Sequence, residues 1–529
     1  MEPQYISYQE TGCFSPTIIR YLEQDEALKP FIAEFPSINA FDKIIKDKTV
    51  KANRRLLVDI LSNQYQSLEN HSEKLNANIA SLLQKNTFTI TTGHQLNIFT
   101  GPLYFIFKIV TAIKLAEDLK EKFPAYNFVP VYWMASEDHD FEEINHTNLG
   151  GKTLKWNLIT SGATGRINTK TIKNTLEEYT QILGSSLNSD KLSQIINVAY
   201  TQFENLSNAT RYLVNQLFGQ YGLVVLDADD KELKRAFSPI IQQDIIQQNS
   251  FKLISESDEK LAEIGMETQA TPREINFFYL KDDLRERIVF EENQYKIINT
   301  NIIFSADELI NEIKNHPDRF SPNVVMRPLY QETILPNIAY IGGAAEVTYW
   351  MQLKSTFDFY GVDFPLVMLR NSAMLIPEKV QHKLQKLKLC TLDVFTETST
   401  LKKAWVIANT NHDLNLNEEW ESINQIFEQL KQRTATIDAT LSPSTEAVKS
   451  RLHKALQNLE KKIFKAEKRN FTEAIADIDK IKQLLFPFNQ LQERTENFGL
   501  FYVKYGDEFI PELIKAFKPL DFKFTILQQ

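Results

Sequence analysis

The hydrophobic positions of this chain change period several times. Leu56, Leu57, Ile60, Leu61, Leu75, Ile79, Leu82 and Leu83 recur at helical spacing, so residues 1–85 read as a mostly helical part that packs on the core. From residue 86 the pattern switches. A β-rich run, Thr87-Phe88-Thr89-Ile90-Thr91, gives way to a helix over roughly 103–122 with Ile106, Ile109, Val110, Ile113 and Leu119 on its apolar side. Then comes Phe128-Val-Pro-Val-Tyr-Trp-Met-Ala135, nearly all apolar, as a parallel strand buried on both faces requires. A strand–helix–strand unit of this length predicts a right-handed crossover and an open α/β sheet. Residues 221–227, 337–341 and 364–370 predict further strands. The mixed stretches near 150–215 and 250–335 read as insertions into a core that spans 86–400.

Another rhythm governs 412–485. Trp420, Ile423, Phe427, Leu430, Thr434, Ile437 and Leu441 keep a 3-4 spacing with one polar interruption, Thr434. After Ser442-Pro443-Ser444 the pattern restarts at Leu452, Leu456, Leu459, Ile463 and Ala466. This predicts an antiparallel coiled-coil hairpin broken at the proline, the kind of arm that joins two copies of a chain as a homodimer. Residues 486–529 read as a C-terminal segment returning to the core.

Composition narrows the class. The chain has 529 residues, 43% apolar and 24% charged, with net charge -9. An acidic balance argues against a nucleic-acid partner, whose footprint is basic. Only two cysteines are present, Cys13 and Cys390, far apart. No thiolate pair has zinc spacing, so zinc is not expected, and a reducing cytoplasm fits better than a disulfide framework. No signal peptide and no apolar run of membrane-spanning length is read, so no membrane partner is expected.

The chemistry concentrates where predicted strands end. The first strand runs into Gly93-His94-Gln95, with Asn97, Thr100 and Gly101 following. A glycine where a strand hands over to a helix lets the backbone approach a phosphate, and the helix N-terminus behind it favours anions. Histidine there can donate to charge developing in a displacement. The second strand ends in Glu137-Asp138-His139-Asp140, with Asn145 shortly after. Acids flanking a histidine can hold a divalent cation or an amine, or act as an acid–base pair. Ile341-Gly342-Gly343-Ala344-Ala345-Glu346, with Trp350 one turn on, reads as a tight strand-to-helix turn whose carboxylate can meet an amine or a hydroxyl. Arg327 with Tyr330, and Arg370 with Asn371, place arginines at strand ends, where they suit carboxylate or phosphate. A polar segment after the long helices, holding Gln490, Gln492 and Arg494, reads as a second nucleotide pocket or as an interdomain hydrogen-bond patch.

The turn Thr91-Thr92-Gly93-His94 resembles the [HT]xGH signature of the class I nucleotidyl-transfer fold. Longer stretches resemble one family along essentially the whole chain. They include TTGHQLNIFTGPLYFIFKIVTAIKLAEDL, VPVYWMASEDHDFEEINH, RFSPNVVMRPLYQETILPNIAYIGGAAEVTYWMQLK, LVMLRNSAMLI and LFPFNQLQERTENF. The chain is similar to the cysteine-adding enzymes of bacillithiol biosynthesis. That resemblance implies a Rossmann-like core with connecting-peptide insertions and a helical coiled-coil domain. It implies joining cysteine to the amine of glucosaminyl-malate as the final step of bacillithiol synthesis. Making that amide in water needs activation, for which ATP is the expected co-substrate, and Glu137, Asp138 and His139 are expected to hold Mg²⁺ or the amines. On this reading His94, Glu137, Asp138 and His139 are the catalytic candidates, and no residue is assigned as a resident-metal ligand. The other reading is a non-catalytic nucleotide-binding or scaffold protein of the same pathway.

Overall fold

The computed structural model describes residues 2–68 and 71–528. It divides into two compact units, residues 1–375 with 490–529, and residues 376–489.

The first unit is built on a five-stranded sheet. In chain order its strands are Thr87–His94, Asn127–Met134, Val224–Asp227, Asn337–Gly342 and Leu366–Leu369. All neighbours are parallel, and the order across the sheet is fifth, fourth, first, second, third. This is the 3-2-1-4-5 order of a doubly wound, Rossmann-like sheet. The five predicted strands are all present. Apart from Asn127 and the ends at His94 and Asp227, their residues are buried, which is what helices on both faces demand. One face packs the helix Tyr104–Lys122 and the earlier helix Ile38–Asp47 around Phe41, Phe88, Ile90, Leu115, Ile341 and Met368.

Residues 1–85 are mostly helical, with one exception. Glu2–Ser7 is a strand, antiparallel to Lys523–Gln528, and Ala373–Ile376 completes this small sheet. Helical periodicity carries no signal for a six-residue strand whose partner lies at the other end of the chain. Two further groups of elements interrupt the run of core strands. The hairpin His146–Leu149/Lys152–Lys155 is followed by helices Lys173–Leu183, Leu187–Gln202 and Leu206–Phe218. The later one is a five-stranded antiparallel sheet, with Leu284–Glu291 at its centre between Gln294–Ile297 and Phe277–Lys281.

The second unit is helical among the described residues and begins at Ile376, ahead of the expected 412. Its long pair, Asn417–Ile437 and Leu441–Asn470, is antiparallel: Lys431 meets Glu446 and Lys449 meets Glu428. The break falls at Asp438–Thr440 rather than at Pro443. Pro443 sits in the first turn of the second helix, where a missing N–H costs nothing. The polar interruption at Thr434 faces Thr445, hydroxyl to hydroxyl at 3.2 Å.

Candidate active site

The chain leaves the first core strand toward one sheet edge and later returns to pair the fourth strand on its other side. Strand order therefore reverses between Thr87–His94 and Asn337–Gly342, the place where open α/β sheets bind ligands. A cavity of about 740 Å³ opens there at the carboxyl ends of the strands. Its lining holds six arginines (273, 285, 287, 327, 370 and 494) and Lys108, against three carboxylates, Glu137, Asp138 and Glu346. A chain of net charge -9 has thus built a cationic pocket.

The first strand supplies Gly93 and His94 as its last residues. Gly93 lies inside the strand, not in a turn as expected, and the helix Tyr104–Lys122 begins only after an intervening loop. Its lack of a side chain serves close approach: a Cβ there would stand 3.1 Å from the Tyr340 hydroxyl. His94 lies among Tyr104 and Phe105 rings, and its Nε2 is buried without a hydrogen bond. Burial, then Lys108 and Arg370, hold its pKa well below the ordinary 6.5, so the ring is neutral. Lys108 rises from the next helix, donates to the Gly93 carbonyl at 2.8 Å and pairs with Glu346. Glu346 also accepts from Tyr340 Oη at 2.5 Å and from the Gly343 N–H at 2.7 Å. Burial works against its charge, but these partners outweigh it and keep the carboxyl below 4.5. It is a fixed counter-ion and helix cap rather than the open amine acceptor expected.

The loop after the second strand forms the opposite wall. Glu137 pairs with the buried Lys234 at 2.6 Å and accepts from Ser321 at 2.7 Å. Burial nevertheless pushes its pKa up. Asp138 is half-buried, takes the His139 N–H at 2.7 Å and receives the Gln95 amide at 2.7 Å. His139 meets Arg285 from the antiparallel insertion, Nδ1 to Nη1, at 2.6 Å. Burial and Arg285 hold this imidazole below its ordinary range.

Gly343 and Tyr330 also line the cavity. Arg327 does so from the start of a helix, Arg327–Ile334, not from a strand end as expected. It gives Nη1 to Gln331 at 2.9 Å and lies near the Trp133 and Tyr340 rings. Arg370 pairs with buried Glu493 at 2.7 Å, leaving its Nε buried without a hydrogen bond. Several expected residues stand outside the lining. Asn97 binds the Glu143 carbonyl, Thr100 is buried in the loop, and Asp140 caps the short helix Phe141–Ile144. Asn145 and Asn371 are buried, Gly342 ends its strand, and Trp350 stacks under Tyr340. Of the trio expected at a second nucleotide pocket, Gln490 is exposed and Gln492 bridges the Leu375 backbone. Arg494 lines the main cavity. Among the described residues no group of three or more His, Cys, Asp or Glu is gathered as metal ligands.

Lys108 and the arginines 273, 285 and 287 were not read from the sequence. Lys108 carried a signal: a lone cation inside Phe105-Ile-Phe-Lys-Ile-Val must find a partner when that helix is buried on all sides. Nothing in the alternating Leu284-Arg-Glu-Arg-Ile marks which face meets a cavity.

The family models for bacillithiol biosynthesis BshC match end to end, the N-terminal Rossmann-like domain over residues 1–371 and the C-terminal coiled-coil domain over 373–529. This chain belongs to the BshC family. Relatives named "Putative cysteine ligase BshC" occur in Flavobacterium johnsoniae, 45% identical, and Flavobacterium psychrophilum, 44% identical, each alignment covering 100% of both chains. A third BshC, from Christiangramia forsetii, is 40% identical over 100% of this chain and 99% of its own. The two-part division of the family, Rossmann-like and coiled-coil, corresponds to the parallel sheet and the long helical pair.

Proposed function

We propose that this chain is a cysteine ligase that completes bacillithiol by forming an amide between cysteine and the amine of glucosaminyl-malate, driven by ATP. The observation that carries this reading is the cationic cavity at the strand-order reversal. Both ATP and the malyl group are polyanions, and the pocket concentrates guanidinium groups suited to phosphate and carboxylate. The nucleotidyl-transfer kinship suggested by Thr91-Thr92-Gly93-His94 belongs to the same proposal.

An amide does not form from a carboxylate and an amine without activation. A carboxylate oxygen of cysteine attacks a phosphorus of ATP, and pyrophosphate or ADP leaves. The glucosamine nitrogen then attacks the resulting acyl carbon. A C–N bond forms, the C–O bond to phosphorus breaks, AMP or phosphate leaves, and the nitrogen gives up a proton. Lys108, Arg327, Arg370 and the neutral His94 border the phosphate and carboxylate side, and Mg²⁺ enters with the nucleotide. In this reading Asp138, the more exposed carboxylate of this loop, takes the amine's proton, while the more buried Glu137 is held by Lys234 and Ser321.

Purified protein, cysteine, glucosaminyl-malate, ATP and Mg²⁺ should yield bacillithiol with one AMP or ADP per product by mass spectrometry. Absence of product, when the same mixture succeeds on adding cell lysate, overturns the self-sufficient ligase. We further propose a cytoplasmic homodimer through the helical hairpin, which leaves Ile426, Leu430, Ile437 and Val448 exposed. A monomer mass by light scattering removes the dimer.

A further inference from the structure

Arg285 offers His139 only donors. A guanidinium carries five N–H groups, no acceptor, and keeps its proton in proteins. Its Nη1 lies 2.6 Å from His139 Nδ1, so Nδ1 must be the accepting, unprotonated nitrogen. A neutral imidazole then has its hydrogen on Nε2. An imidazolium would set N–H against N–H at the same contact.

The partner is firmly held. Arg285 is buried, donates Nε to Ser321 at 3.1 Å and Nη2 to the Pro322 carbonyl at 3.3 Å, and lies 4.0 Å over the Phe278 ring. Ser321 in turn donates to Glu137. The same Phe278 ring packs on His139 at 5.4 Å. The charged groups facing His139 are Arg285, Asp138, Asp140 and Glu286, and the arginine is the one in hydrogen-bond contact with its ring.

We propose that Arg285 is a positioning residue that locks His139 as a neutral imidazole with its hydrogen on Nε2. His139 is thereby a hydrogen-bond donor to the oxygen that gains charge when the amine attacks, and not the base that removes the amine's proton. A neutral imidazole that donates in this way is an established device for polarising a carbonyl. The donor role rests on the ligase reading; the lock itself does not.

The lock is read in the free, full-length chain. With ¹⁵N-histidine label, long-range ¹H–¹⁵N correlation distinguishes the two neutral tautomers, and His139 is assigned by its loss in His139→Gln. The expected pattern is Nε2–H in the native chain and in Arg285→Lys, which also donates without accepting. Arg285→Met, with native-like circular dichroism and melting, should give a mixture. An Nδ1–H tautomer, an imidazolium at neutral pH, or an unchanged pattern in Arg285→Met overturns the lock. For the donor role, His139→Gln keeps an N–H near the Nε2 position and should retain far more turnover than His139→Ala, whose expected loss is about 10²–10³-fold. Gln as inactive as Ala overturns the donor role. A locked tautomer in a protein that makes no bacillithiol leaves the lock standing and removes the ligase reading instead.

Discussion

At the scale of single residues, the loop after the first core strand shows how strain is held. Phe99, Thr100 and Gly101 all have positive φ, at 52°, 72° and 62°. Each non-glycine residue there costs about 1–3 kcal/mol. Asn497 holds them: its amide donates to the Phe99 and Gly101 carbonyls at 2.8 and 2.7 Å, while its oxygen accepts from Tyr179 and the Gly499 N–H. Asn497→Ala should lower unfolding free energy by about 2–4 kcal/mol, read from the urea midpoint. At Gly93 the cost falls on the site. Gly93→Ala would push on a Tyr340 hydroxyl that is tied to Glu346, so KM should rise severalfold while stability drops by only about 1–2 kcal/mol. His94 gives a pH signature. Its folded pKa is depressed, so the unfolded chain binds the extra proton first, and stability is undiminished above about pH 6.5 and falls as pH drops below it. In His94→Gln the fall of the urea midpoint on that acid side should be shallower than in the native chain.

At the scale of elements, the sequence was informative wherever burial is two-sided or periodic. The strands around Val129, Val225, Ile338 and Val367 are apolar runs ending in polar residues, and both signals follow from a buried parallel sheet with its ligands at one end. The site was half visible for the same reason: His94, Glu137 and Arg370 stand at strand ends, whereas Arg285 comes from an antiparallel strand whose packing partner no local pattern reveals. The Glu2–Ser7 strand was missed because its pairing is set by distant residues. In the helical hairpin, Thr434 and Thr445 oppose each other in the seam. Replacing both with valine removes two matched polar groups and should raise the thermal stability of this helical pair by about 1 kcal/mol, read by circular dichroism. Either valine alone leaves the other hydroxyl its own backbone carbonyl, Leu441 for Thr445 or Lys431 for Thr434, and should raise it by less than the pair.

At the scale of the whole molecule, the second unit is an insertion with adjacent endpoints. Leu375 and Gln492 are joined by two hydrogen bonds, at 3.0 and 3.3 Å, so the chain leaves and re-enters the first unit at neighbouring points. Replacing residues 378–489 with a few glycines and serines should leave the first unit folded, with a single cooperative melt. A chain that melts without cooperativity would show that the first unit depends on the second. The small sheet that joins Glu2–Ser7 to Lys523–Gln528 bears on how the protein is made. A ribosome delivers Glu2–Ser7 long before its partner Lys523–Gln528. Until that partner emerges, the early strand is an unpaired edge, open to another chain. The parallel core can assemble beforehand, but this seam closes late, and a nascent chain stalled before Lys523 is the form of this protein most exposed to aggregation.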